Sequence, residues 1–177
     1  MLLAILLIIN SQLIAQNFSV SSLQGENLTS PTSLQFGPDG RLYVAQQDGL
    51  ILAYTIQRVT NTNYQITATE TINNIKQIQN HNDNGTINNL NKRQVTGILV
   101  TGTPNNVVIY AGSSDSRIGG GSSNGDVNLD TNSGMISRLT KSGNNWQRLD
   151  LVRGLPRSEE NHANNGMQLR GNLLYVA

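Results

Sequence analysis

Two stretches of this chain hold side chains whose types and spacing suit chemistry. His162 follows Leu149-Asp-Leu-Val-Arg-Gly-Leu-Pro-Arg-Ser-Glu-Glu-Asn161, and imidazole changes charge nearest to neutral pH. A histidine delivered by a loop is suited to general-base work, such as taking the proton of a hydroxyl; a purely structural histidine is the competing reading. Glu159 and Glu160 stand just before it and would raise its proton affinity on close approach, although such a pair can equally be solvated. The second stretch, Asn80-His-Asn-Asp-Asn-Gly-Thr-Ile87, imitates the start of a calcium loop, with Asn80, Asn82 and Asn84 ahead of Gly85. Its closing position is Asn91, where such loops need a bidentate Glu. Asp83 is its one carboxylate and sits between liganding positions, so the segment reads as a turn-rich loop and His81 as a surface histidine. Asp115, Asp126 and Asp130 could gather around a cation, but a solvated glycine-rich loop accounts for them more simply. Gly119-Gly-Gly121 lacks the strand and helix that a phosphate cradle requires. No metal ligand is assigned.

The elements that must position these residues are short strands. Thr32-Ser-Leu-Gln-Phe-Gly-Pro-Asp-Gly-Arg-Leu-Tyr-Val-Ala45 reads as a strand, a Pro-Asp-Gly turn and a second, apolar strand. Residues 96–111 and 165–177 repeat the plan, and Ala45, Ala111 and Ala177 recur at a constant step of 66 residues. The second strand of each hairpin is a near-continuous apolar run, as expected of a strand buried on both faces. Further strands are expected at 50–56, 64–69, 134–139 and 146–151, giving about four per repeat. Four-stranded units at a long fixed period are the sequence sign of propeller blades. The expected fold is therefore all-β: a propeller of four-stranded antiparallel blades, about three present of an expected six. A β-sandwich with similar hairpins is the alternative. Two polar stretches, 73–94 and 113–133, are long enough to be functional or mobile loops.

Composition narrows the function. With 12 Lys+Arg against 11 Asp+Glu, a formal net charge of +1 and no basic stripe, nucleic acid is not an expected partner. The chain has no cysteine, which excludes disulfides and thiolate metal sites. Met1-Leu-Leu-Ala-Ile-Leu-Leu-Ile-Ile9 is too short for a membrane span and reads as the core of a signal peptide covering 1–15, cleaved after Ala15. The mature chain, 16–177, is then secreted or periplasmic, with no membrane span after signal removal. Ala177 falls inside a strand expected to be buried, so the chain reads as the N-terminal part of a propeller truncated at its C-terminus.

The run Asp150-Leu-Val-Arg-Gly-Leu-Pro-Arg-Ser158, then His162, Gly166-Met-Gln-Leu169 and Leu174-Tyr-Val-Ala177, resembles the soluble quinoprotein glucose/sorbosone dehydrogenases, a family of six-bladed propellers. The resemblance implies an exported enzyme that oxidises a sugar or related alcohol, with His162 as the general base. It also implies pyrroloquinoline quinone (PQQ) and calcium as cofactors, their ligands lying mostly beyond Ala177. Gln94, in Arg93-Gln-Val-Thr-Gly-Ile98, matches the family's substrate-binding amide. The resemblance covers roughly residues 28–177. A non-catalytic secreted propeller that binds glycans or proteins is the alternative function, since fold does not determine activity. The residues do not specify an oligomeric state.

Overall fold

The computed structural model describes residues 20–117, 132–157 and 163–177. The signal segment 1–15, the Gly119–121 run, Asp126, Asp130, Glu159, Glu160 and His162 lie outside the described residues.

Each expected hairpin forms. A short β1 (Leu23–Gln24) precedes β2 (Pro31–Phe36), β3 (Leu42–Gln46), β4 (Ile51–Arg58) and β5 (Tyr64–Ile72). Strands β2 to β5 make an antiparallel meander, and β1 adds to its outer edge parallel to β5. The turn between β2 and β3 closes at Gly40, whose φ of 78° suits a residue without Cβ. After β5 a small hairpin, β6 (Asn80–His81) and β7 (Ile87–Asn88), interrupts the connection. The second meander follows: β8 (Arg93–Thr103), β9 (Asn106–Asp115), β10 (Gly134–Ser142) and β11 (Asn145–Leu155), paired in sequence order. A third hairpin joins β12 (Met167–Arg170) to β13 (Leu173–Val176). The described residues are thus all-β, as the alternating sequence implied.

The two meanders share one core. Tyr43, Ala45, Ile51, Ala53 and Ile72 of the first sheet join Val95, Ile98, Val100, Ile109, Ala111 and Leu139 of the second in a single buried cluster. Ile75 and Ile78, from the connection read as a polar loop, fill the space between them. Their burial explains why that segment is ordered without long strands: apolar side chains placed singly in polar sequence anchor it by burial alone. The edge strands β2 and β8 also lock together. Gln35 on β2 donates from Nε2 to the Val100 carbonyl at 3.0 Å and accepts from the Val100 N–H at 2.8 Å, across a separation of 65 residues. Ser33 Oγ accepts from the Ile98 N–H at 3.3 Å, again 65 residues apart.

At the outer rim, Glu70 on β5 holds the sheets together. It pairs with Arg41 Nη1 at 2.6 Å and with Lys141 Nζ at 2.7 Å, and it accepts from Trp146 Nε1 at 2.9 Å. Burial alone would push its carboxyl up. The hydrogen bonds from Arg41, Lys141 and Trp146 outweigh that and hold it down at about 2, against an ordinary 4.5. A folded-state pKa below the unfolded value stabilises the fold above the unfolded pKa, and that contribution fades as pH falls toward the folded one. Glu70→Gln should therefore cost about 2 kcal/mol at pH 7, part of the gain being screened by solvent. Urea unfolding of both proteins should show the difference shrinking between pH 4.5 and about 2; a difference independent of pH would contradict the clamp.

One expectation fails. The second strands of the first two hairpins are buried as predicted, β3 almost throughout and β9 mostly, but β13 is not. Leu173 is 63% exposed, Tyr175 54% and Val176 40%. The reason is geometric: among the described residues β13 pairs only with β12, so its apolar run has no third strand beside it.

Candidate functional site

One end of the second sheet carries a concentration of buried polar groups. The start of β8, the end of β9 and the start of β10 meet there, because antiparallel strands bring alternate termini to one end. Arg93, Gln94, Ser113, Ser114, Asp115 and Ser133 are all buried. Burying such groups costs free energy unless they are hydrogen-bonded, and the sequence supplies the partners. Arg93 donates from Nη1 to Asn80 Oδ1 at 3.0 Å, from Nε to Ser113 Oγ at 3.4 Å and from Nη2 to the Ser133 carbonyl. Asn80 in turn donates to the carbonyls of Leu90 at 3.2 Å and Lys92 at 2.6 Å. Asn80, read from sequence as the opening residue of a calcium-like loop, is a structural anchor; His81 is exposed.

Asp115 is fully buried and forked by Arg117, with Nη2 to Oδ2 at 2.5 Å and Nε to Oδ1 at 3.1 Å. Arg117 reaches on to Asn82 Oδ1 and the His81 carbonyl, both at 2.6 Å. The β6–β7 hairpin is thereby clamped over the end of the sheet. Buried Arg157, just past β11, donates from Nη2 to the Arg117 carbonyl. Sequence reasoning missed this network. No local signal marked it, because the partners of Arg93 lie 13 to 40 residues away in the chain.

Gln94, the expected sugar-binding amide, lies on β8 opposite Ser114. It is 5% exposed and accepts from Ser114 Oγ at 3.5 Å. Immediately after it the β8–β9 ladder shifts register between Val95 and Gly97, and such bulges re-aim side chains next to sites. The bulged Thr96 donates from Oγ1 to the Asn164 carbonyl at 2.5 Å, across 68 residues. A Cβ on Gly97 would stand 1.7 Å from the Asn165 carbonyl oxygen, so only glycine permits this approach. Asn164 also donates from Nδ2 to the Met135 carbonyl at 3.3 Å, while its buried Oδ1 has no hydrogen-bond partner among the described residues. The segment two residues after His162 is thus docked beside the segment two residues after Gln94. His162 itself lies outside the described residues, so its side chain is not placed.

Among the described residues no group of three or more His, Asp or Glu side chains is placed to hold a metal ion, and no helix is long and apolar enough to cross a membrane. No family model matches the chain, and neither a curated protein nor a solved structure matches it.

Proposed function

We propose that the two meanders are successive blades of a β-propeller, that the third hairpin begins another, and that the chain belongs to an exported oxidoreductase acting on a sugar or related alcohol. The observation that carries the reading is the similar offset, 65 to 68 residues, between contacts that join successive hairpins. Ser33 with Ile98 and Gln35 with Val100 join β2 to β8 across 65 residues, and Thr96 with Asn164 joins β8 to the approach of β12 across 68. Innermost strands packed side by side at a repeat period are what blades around a common axis require.

On this reading the end of the sheets bearing Gln94 and Asn164 is the mouth of the channel, where His162 takes the proton of a substrate hydroxyl. The electron acceptor in the family that the sequence resembles is PQQ, with calcium. The described residues do not fit either group. They offer no metal cage, and Arg93 and Arg117 are turned to structural acceptors. The role proposed for this chain is therefore the proton transfer alone. A second reading, a secreted propeller that binds glycans or proteins without catalysis, is favoured by the burial of Gln94.

One preparation tests both export and activity. Protein collected from the periplasm or medium of a bacterial host should begin near Gln16. When full-length, with the cofactor-binding residues expected beyond Ala177, and supplied with PQQ and calcium, it should reduce a dye in the presence of an aldose. Intact Met1 retained in the cytoplasm would overturn the export reading. Secreted protein that binds sugar but reduces no dye would favour the second reading.

A further inference from the structure

The wedge between the second sheet and the connection preceding β6 holds a concave site that reaches from β11 to Arg93 and Ser133 at the end of the sheet. Its volume is about 270 Å³, near the lower limit of small-ligand pockets and of monosaccharide size. Its wall is β11, the edge strand of the sheet farthest from β8 in the strand order. Arg148, Asp150 and Arg153 line the site from that strand, and Gln79, His81, Arg93 and Ser133 are among the residues facing them.

The two β11 arginines are arranged around one carboxylate. Arg148 Nε meets Asp150 Oδ1 at 3.0 Å, and Arg153 Nη2 meets Oδ2 at 2.7 Å. Asp150 is itself fixed by Ser137 Oγ, which donates to Oδ1 at 2.8 Å, and Arg148 Nη1 is tied to the Asn74 carbonyl at 2.7 Å. Burial would push the Asp150 carboxyl up, but Ser137 and the two arginines hold it below the usual range. It therefore stays ionised as the pivot of both guanidinium groups. A guanidinium has five N–H donors, so a pair anchored through one or two each still presents forks to a second, incoming carboxylate. Three arginines against one carboxylate leave the lining cationic, while the amide of Gln79 and the hydroxyl of Ser133 suit vicinal hydroxyls.

We propose that this pocket binds an anionic sugar, a uronate or aldonate, its carboxylate received by Arg148 and Arg153 and its hydroxyls by Gln79 and Ser133. The site does not depend on the oxidation reading, because the arginines that would receive the carboxylate lie on β11, at the opposite edge of the sheet from Gln94 on β8.

D-glucuronate is the probe, with glucose and inorganic phosphate as comparisons. Trp146 is the chain's single tryptophan and lies on β11 two residues before Arg148, so its fluorescence reports binding. Titration of the whole chain should give a saturable change with glucuronate. Glucose and phosphate should each bind at least about tenfold more weakly, the scale of one lost charge-assisted contact. The Arg153 side chain is 72% exposed, so Arg153→Gln should leave the thermal melt unchanged while weakening glucuronate at least about tenfold. Arg58→Gln, on β4, should bind as the parent does. Phosphate binding as tightly as glucuronate would reduce the pocket to a general anion site and overturn the proposal. Glucose matching glucuronate, unaltered affinity in Arg153→Gln, or no saturable binding would overturn it as well.

Discussion

In full-length, quinone-loaded protein, His162→Ala is expected to cut turnover of an aldose by roughly 10²–10⁴-fold, the usual contribution of a positioned general base. Affinity for the sugar should change far less, because a base contributes when the proton moves and not when the ground state forms. The expectation rests on both flanks of the residue. On one side Arg157 is buried and hydrogen-bonded to the Arg117 carbonyl. On the other, Asn164 is fixed by Thr96 and by the Met135 carbonyl. Efficient proton transfer requires a positioned base, and these anchors on either side of the segment are what the proposal builds on. Steady-state kinetics of parent and variant, with sugar binding measured separately, decide the matter. Full turnover in the alanine variant would remove His162 from the chemistry.

Asp115→Ala is expected to destabilise the fold by about 3–5 kcal/mol, the range for removing one partner of a buried ion pair. Asp115 has no exposed surface and Arg117 is 18% exposed, so water cannot readily replace the lost carboxylate. The cost also spreads through what Arg117 holds. Its links to Asn82 and the His81 carbonyl tie the β6–β7 hairpin to the sheet, and the Asp115 N–H donates to Ser133 Oγ at 3.0 Å. Asp115→Asn keeps an acceptor of the same shape and should cost less. Urea denaturation gives the stability, and amide hydrogen exchange over residues 80–92 should rise in the alanine variant before the strands of the core open. A loss under about 1 kcal/mol, the scale of an exposed pair, would show that the pair is not structural.

The strands were readable because each carries its own signal. Val-Ile-Tyr and Leu-Tyr-Val runs flanked by Pro38-Asp39-Gly40 or Pro104-Asn105 specify strand and turn within a dozen residues, and the hairpins form at those places. The buried polar end was not readable in the same way. Arg93 finds Asn80 across 13 residues and Ser133 across 40, and no local pattern distinguishes an arginine that will be buried from one that will be solvated. Ile75 and Ile78 were hidden by the Asn and Gln around them, since their burial depends on a second sheet arriving on top. The exposure of β13 shows the converse: an apolar run announces a strand, but only its neighbours decide whether it is buried. Of the expected site, Gln94 was named from its place in Arg93-Gln-Val-Thr-Gly-Ile98, and in the structure it precedes the Val95–Gly97 register shift. Its burial could not be foreseen, because it depends on Ser114 and the strand end packed over it.

A crystal structure of the quinone-loaded protein with an aldose bound tests the central claim most directly. Hairpins β2–β3, β8–β9 and β12–β13 should be related by successive rotations of about 60° around one axis, as six blades require. His162 Nε2 should stand about 2.6–3.2 Å from the sugar hydroxyl, directly or through one water. Sugar bound away from that axis, with the His162 side chain turned into the interior of a sheet, would contradict the claim.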